Sequence, residues 1–356
     1  MTSLFDPVDL GEFKLPNRIL MAPLTRCRAV EDRVPNDLMR EYYVQRASAG
    51  LILSEATSVT PMGVGYPHTP GIWSEAQVEG WRKITDAVRA AGGRIALQLW
   101  HVGRISHPMY LNGALPVSSS AIPPQGHVSL VRPKVDYVTP RALGRDEIPG
   151  VIEAYRQGAE NAQRAGFDGV LIHGANGYLP DQFLQDGVNH RTDDYGGPIE
   201  NRARLMLEVA DACISVWGAG RVGMHLAPRA DTHSMGDSDL PGTFAYVARA
   251  LGKKKLAFLS TREHAGPDRI SPMLKREFGG AFVANEGFTQ ATAEAEIAAG
   301  DADAVAFGKL FIANPDLPKR FAAHAPLNEW NSSTFYAHTA EGYTDYPFWD
   351  GVSRTA

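Results

Sequence analysis

Eight apolar, β-branched runs recur along the chain, and most are followed by a segment with helical periodicity. The expected strands are 18–22, 50–55, 94–100, 169–173, 222–227, 256–260, 281–284 and 304–307. The expected helices are 37–49, 76–91, 147–164, 199–216, 243–251, 269–278, 291–299 and 316–323. In 76–91 the apolar Val78, Trp81, Ile84 and Val88 fall on one helical face, as do Ile148, Val151, Ile152 and Tyr155 in 147–164. Strands and helices in strict alternation make a parallel sheet, and eight pairs predict one closed (β/α)8 barrel, an α/β fold. A doubly wound open sheet is the alternative, but it would more often carry a glycine-rich phosphate turn after its first strand. None follows Ile19–Met21.

The 356 residues suit one elaborated barrel, so 1–356 is expected to be a single domain. Two inserts, 102–145 after the third strand and 176–198 after the fourth, lie at the C-terminal face, where barrels build active sites. Residues 3–14 are expected to cap the opposite end.

Composition narrows the function. Hydrophobic residues make up 44% and charged residues 21%, enough for a large core and against disorder. The formal net charge of −5 gives no reason to expect nucleic acid or anionic lipid as partner. Only two cysteines occur, Cys27 and Cys213, too few for an iron–sulfur cluster or a structural zinc site. His101, His107 and His190 lack metal-ligand spacing, so no metal is expected. The start has no apolar signal region, and no stretch is apolar for long enough to span a bilayer. A cytoplasmic protein, monomer or homodimer, is expected.

The densest chemistry lies in His173-Gly-Ala-Asn-Gly-Tyr178, at the end of the fourth strand. If the chain turns at its glycines, His173 and Asn176 can both donate hydrogen bonds to one acceptor. Two donors on a carbonyl stabilise the charge developing on its oxygen, and a nearby Tyr178 can serve as general acid. A satisfied barrel histidine and a packing tyrosine are the plainer alternative. At the other side, Asn285-Glu-Gly287 follows the seventh strand and Gly308-Lys309 the eighth, where barrels commonly bind phosphate.

The wider chain resembles the old yellow enzyme family of flavin-dependent ene-reductases, in particular its classical branch. The markers are Asn17-Arg-Ile19, Met21-Ala-Pro-Leu-Thr-Arg26, Gln98-Leu-Trp-His-Val-Gly-Arg104, His173-Gly-Ala-Asn-Gly-Tyr-Leu179, Asp194-Tyr-Gly-Gly197, Glu200-Asn-Arg202, Phe307-Gly308 and Asn314-Pro-Asp316. They run in order from Leu4-Phe-Asp-Pro7 to Tyr343-Thr-Asp-Tyr-Pro347. The resemblance implies tightly bound, non-covalent FMN and NADPH or NADH as hydride donor. Pro23, Leu24 and Thr25 would run along the flavin ring, with Ala56 and Gln98 at its pyrimidine edge. Tyr66, Trp100 and Tyr336 would wall the substrate. The implied substrate is an activated alkene (an α,β-unsaturated carbonyl, an imide or a nitroalkene), reduced by hydride from flavin N5 and protonated by Tyr178.

Two positions depart from the family pattern. His225, in Gly223-Met-His-Leu-Ala-Pro228, stands where the family has an arginine facing the flavin. Lys309 stands where it usually has another, keeping charge but losing bidentate contact. A protonatable His225 predicts a steep pH dependence of flavin reduction, unless it stays neutral. Arg229 lies just beyond that strand and is a candidate replacement. The rival functions are a dienoyl-CoA type reductase, which would need an iron–sulfur cluster, and a flavin-free barrel such as an aldolase, a hydrolase or a simple binding protein. No strand-end lysine, paired carboxylate or metal constellation favours the latter.

Overall fold

The computed structural model describes residues 2–230 and 232–351; the other positions of the expected 1–356 domain lie outside the described residues. Eight parallel strands form the barrel: β1 (Ile19–Met21), β2 (Ile52–Leu53), β3 (Ile95–Trp100), β4 (Gly169–His173), β5 (Val222–Leu226), β6 (Phe258–Arg262), β7 (Phe282–Asn285) and β8 (Ala304–Phe307). Each pairs with its chain neighbour, and β8 closes on β1 through Val305 opposite Ile19. The helices that return the chain are α1 (Asp37–Gln45), α2 (Glu75–Ala90), α3 (Ile148–Arg164), α4 (Arg204–Trp217), α5 (Leu240–Lys253), α6 (Ser271–Phe278), α7 (Gln290–Ala299) and α8 (Leu317–Ala322).

The period of two along each strand sorts side chains to two cores. Ile95, Leu97 and Leu99 of β3 face outward into the helix layer, with Val170, Ile172, Val222 and Met224. Their neighbours Ala96, Leu171, Phe258, Val283 and Ala304 face inward and fill the barrel floor. The hairpin Val8–Leu10 with Phe13–Leu15 covers that floor, Phe13 meeting Phe258 edge-on at 6.1 Å. It is the cap expected from residues 3–14. One step up, the same inward parity carries Gln98, His173, His225 and Asn285, polar residues that an apolar core would not hold without partners.

Helix packing follows the sequence pattern. In α2, Ser74 and Gln77 form a reciprocal N-terminal cap, and Val78, Trp81, Ile84 and Val88 are buried. Three elements differ from expectation. The second strand is broken: Ile52–Leu53 and Thr57–Ser58 each pair with β3, and 54–56 bends between them. There the Ser54 hydroxyl, rather than a backbone carbonyl, accepts the Gln98 N–H at 3.0 Å. The sixth strand runs two residues further than expected, because Thr261 and Arg262 continue the ladder opposite Ala284 and Asn285. The expected helix 199–216 is divided at Ala203 into Ile199–Arg202 and α4. Short helices at Leu179–Leu184 and Lys309–Ala313 are additions that the periodicity did not reveal. No helix among the described residues is long and apolar enough to cross a membrane.

Candidate active site

A cavity of about 670 Å³ opens at the C-terminal ends of the strands, within the usual range for small-molecule sites. It is lined on one side by Pro23, Leu24 and Thr25 after β1, by Ala56 in the broken second strand, and by Gln98 and His225. At its far end are Asn285, Glu286, Gly287, Gly308 and Lys309; His173, Asn176, Tyr178, Tyr66 and Tyr336 complete the predicted set. Trp100 departs from expectation. Only 1% exposed, it lies behind the lining rather than in it. Its ring is near-parallel to His173 (17°, 6.3 Å) and meets Tyr178 edge-on at 5.1 Å. It packs directly against those two side chains.

The turn after β4 is fixed by its neighbours. Asn176 and Gly177 both have positive φ, 58° and 74°, so the chain reverses tightly there. The Gly177 N–H donates to Asp181 Oδ2 at 2.8 Å, and its carbonyl accepts from Gln182 Nε2 at 2.7 Å. Both partners sit on the short helix Leu179–Leu184. The Asn176 carbonyl meets His233 Nδ1 at 2.8 Å. The outcome places the His173 and Tyr178 rings 4.9 Å apart and nearly perpendicular. The Tyr178 hydroxyl lies 2.9 Å from that of Tyr66. The insert after β3 reaches the same place, with Leu130 and Tyr137 packed against the cluster of Ala56, Tyr66, Trp100 and Tyr178.

The protonation states follow from burial. Desolvation holds His173 well below the ordinary histidine range, with the charge of Arg262 and the nearby His225 and His233 adding to it. Desolvation pushes His225 down to about 3, again with Arg262 contributing. Both effects favour the neutral imidazole at His225, the second of the two alternatives set out above. Burial raises Tyr178, so it carries its proton throughout the neutral range. Cys27 is buried and pushed up to about 12, chiefly by desolvation, which makes it inert. Arg229 does not turn toward His225; it pairs with Glu263 at 2.7 Å and with Asp268.

Among the lining residues that sequence reasoning missed, with His264, Phe288, Trp330 and Phe335, Arg262 carries the most chemistry. It ends β6, lines the cavity, and donates to Asn176 Oδ1 at 3.0 Å and to Glu286 Oε1 at 2.8 Å. The signal was available: Arg262 shares the inward parity of Ser260, which stands opposite His225. Ending the strand at residue 260 hid it. The Glu286 carboxylate, expected at the phosphate end, is taken up by Arg262 and lies 3.2 Å from His264 Nε2.

FMN fits this donor set. His225 Nε2 and His173 Nδ1 are buried without a protein partner, a cost that a bound polar ring would relieve. Gln98 Nε2 contacts His225 Nδ1 at 3.2 Å, so the amide and imidazole present one polar edge. At the other end Gly287 has φ 78°, a side chain added there would meet nothing within 4 Å, and Lys309 supplies a cation. A barrel cavity that joins a buried polar edge to a cationic end suits a flavin.

The comparisons agree. A profile of the NADH:flavin oxidoreductase / NADH oxidase family matches residues 3–328. The chain is 43% identical over 372 residues to 12-oxophytodienoate reductase 7 of Oryza sativa subsp. japonica, covering 97% of this chain and 94% of that protein. Among solved structures, the old yellow enzyme homologue from Zymomonas mobilis superposes with a TM-score of 0.95 at 46% identity, covering 97% of this chain and 99% of the other. Morphinone reductase in complex with tetrahydroNAD gives 0.95 at 48%, covering 99% of both. The chain belongs to this family, the old yellow enzymes. It is an FMN-dependent NAD(P)H oxidoreductase acting on activated alkenes, and the flavin-free alternatives are set aside.

Proposed function

We propose that His173 and Asn176 hold the activating oxygen of an α,β-unsaturated carbonyl compound, an imide or a nitroalkene, and that Tyr178 protonates its α-carbon. The observation that carries this reading is the convergence of all three side chains, from the end of β4 and the clamped turn that follows it, on the cavity that also holds Gln98 and His225. Neutral His173 and the Asn176 amide withdraw electron density from the oxygen and make the β-carbon electrophilic. Tyr178 starts protonated, and Tyr66 lies within hydrogen-bond reach of the phenolate left behind. Bound FMN supplies the two-electron hydride store between the nicotinamide and the alkene.

Pro23, Leu24 and Thr25 would support the flavin ring, Ala56, Gln98 and His225 its polar edge, and Asn285, Gly287, Gly308 and Lys309 its phosphate. Tyr66 and Tyr336 would flank the alkene. We read 1–356 as one barrel domain that works in the cytoplasm as a monomer or homodimer, with NADPH or NADH as donor and without nucleic acid or membrane. The test is Tyr178→Phe in stopped flow. Reduction of bound FMN by NAD(P)H should stay near wild type, while reoxidation by cyclohex-2-enone should slow by about 10²–10⁴. Equal losses in both half-reactions would remove Tyr178 from its role.

A further inference from the structure

An asparagine binds a carbonyl oxygen only if its NH2, and not its oxygen, faces the ligand. The two ends of the amide have nearly the same shape, so something outside the side chain has to choose. In this chain the chooser is Arg262. A guanidinium carries donors only. The Asn176 atom 3.0 Å from Arg262 Nη1 is therefore the oxygen, Oδ1, and the NH2 is left for the cavity. Arg262 is itself held in place, its Nη2 donating to Glu286 Oε1 at 2.8 Å. The Asn176 backbone is fixed independently, through its carbonyl to His233.

We infer that Arg262, anchored by Glu286, is a positioning residue that locks the Asn176 amide in its donor orientation toward the substrate oxygen. The inference rests on the reading of Asn176 as a carbonyl donor and deepens it. Arg262 does a second thing through the same bond: its charge draws on Oδ1, which polarises the amide and strengthens the hydrogen bonds its NH2 donates. The three elements involved are the turn after β4, the end of β6 and the loop after β7. The orientation of one side chain thus depends on three strands being in register.

The experiment titrates the FMN-loaded enzyme with cyclohexanone, a carbonyl ligand with no alkene to reduce, and follows flavin absorbance. It also measures kcat and KM for cyclohex-2-enone. Arg262→Met should weaken cyclohexanone binding about tenfold, the scale of one hydrogen bond lost or inverted. Arg262→Lys, which still offers only donors, should stay within about threefold of wild type. In an Asn176→Ala background, Arg262→Met should lose most of its effect on both measurements, since the positioning role passes through Asn176. Equal losses in the Met and Lys variants, or a loss that persists undiminished without Asn176, would overturn the positioning role. If Asn176→Ala alone leaves cyclohexanone binding unchanged, the donor reading of Asn176 fails and this inference goes with it. If Asn176→Ala weakens binding while Arg262→Met does not, only the inference fails.

Discussion

His225 shows how burial decides a residue's chemistry. The sequence offers a titratable group beside the flavin; the barrel interior gives it Gln98 on one nitrogen, no protein partner on the other, and a guanidinium nearby. Desolvation leads and Arg262 adds to it, so the imidazole stays neutral until the pH falls to about 3. The expected outcome is that wild type and His225→Arg share the same shape of pH profile for flavin reduction between about pH 5 and 8. An inflection near the ordinary histidine range in wild type, absent from His225→Arg, would contradict it. The identity of His225 was legible in Gly223-Met-His-Leu-Ala-Pro228, but its charge was not. Charge depends on what surrounds a side chain rather than on what precedes it.

At the scale of the element, the turn 174–178 carries the site, and its shape is imposed by the helix Leu179–Leu184. The φ of 74° at Gly177 is one that a Cβ resists, and a Cβ there would lie 2.8 Å from Met235 Cγ and 3.0 Å from the Thr232 carbonyl. Gly177→Ala should therefore cost about 1–3 kcal/mol of stability and slow alkene reduction more than tenfold, as Asn176 and Tyr178 shift together. Urea unfolding and steady-state kinetics would check both; a variant with wild-type values in each would show that the turn is not strained there. The glycines of this turn were readable as a reversal of the chain. The short helix that clamps it was not, because six residues are too few to display a helical period.

For the whole molecule, three buried arginines fasten the C-terminal segment across the barrel mouth, and Tyr336 with it. Arg26 donates to the carbonyls of Phe335 and Gly342, Arg28 to those of Phe335 and Thr334, and Arg46 to that of Tyr343, while it also ties down Phe311 and Ile312. Beside them Glu55, fully buried, is pushed by desolvation up to about 7 from an ordinary 4.5. Between those two values the folded state holds a proton that the unfolded chain has released, so this group's contribution to stability falls as the pH rises from about 4.5 to about 7. Glu55→Gln should lack that fall: its stability relative to wild type should increase between pH 5 and pH 8. A difference in urea midpoint that does not change with pH would refute the assignment.

The sequence by itself determined the order of the eight barrel strands and their returning helices, the barrel, its floor cap and most of the residues that line the cavity. These are written in periods of two and 3.6 residues and in short motifs, which act over a few neighbours. Only the tertiary structure decided that Trp100 stands behind His173 rather than in the cavity, that the sixth strand reaches Arg262, and that Glu286 turns to that arginine. Each is an encounter between side chains from different strands, set by where the ladder ends and how the barrel closes. The donor pair His173 and Asn176 was thus visible as a motif, whereas what aims Asn176 became visible only when β6 came alongside.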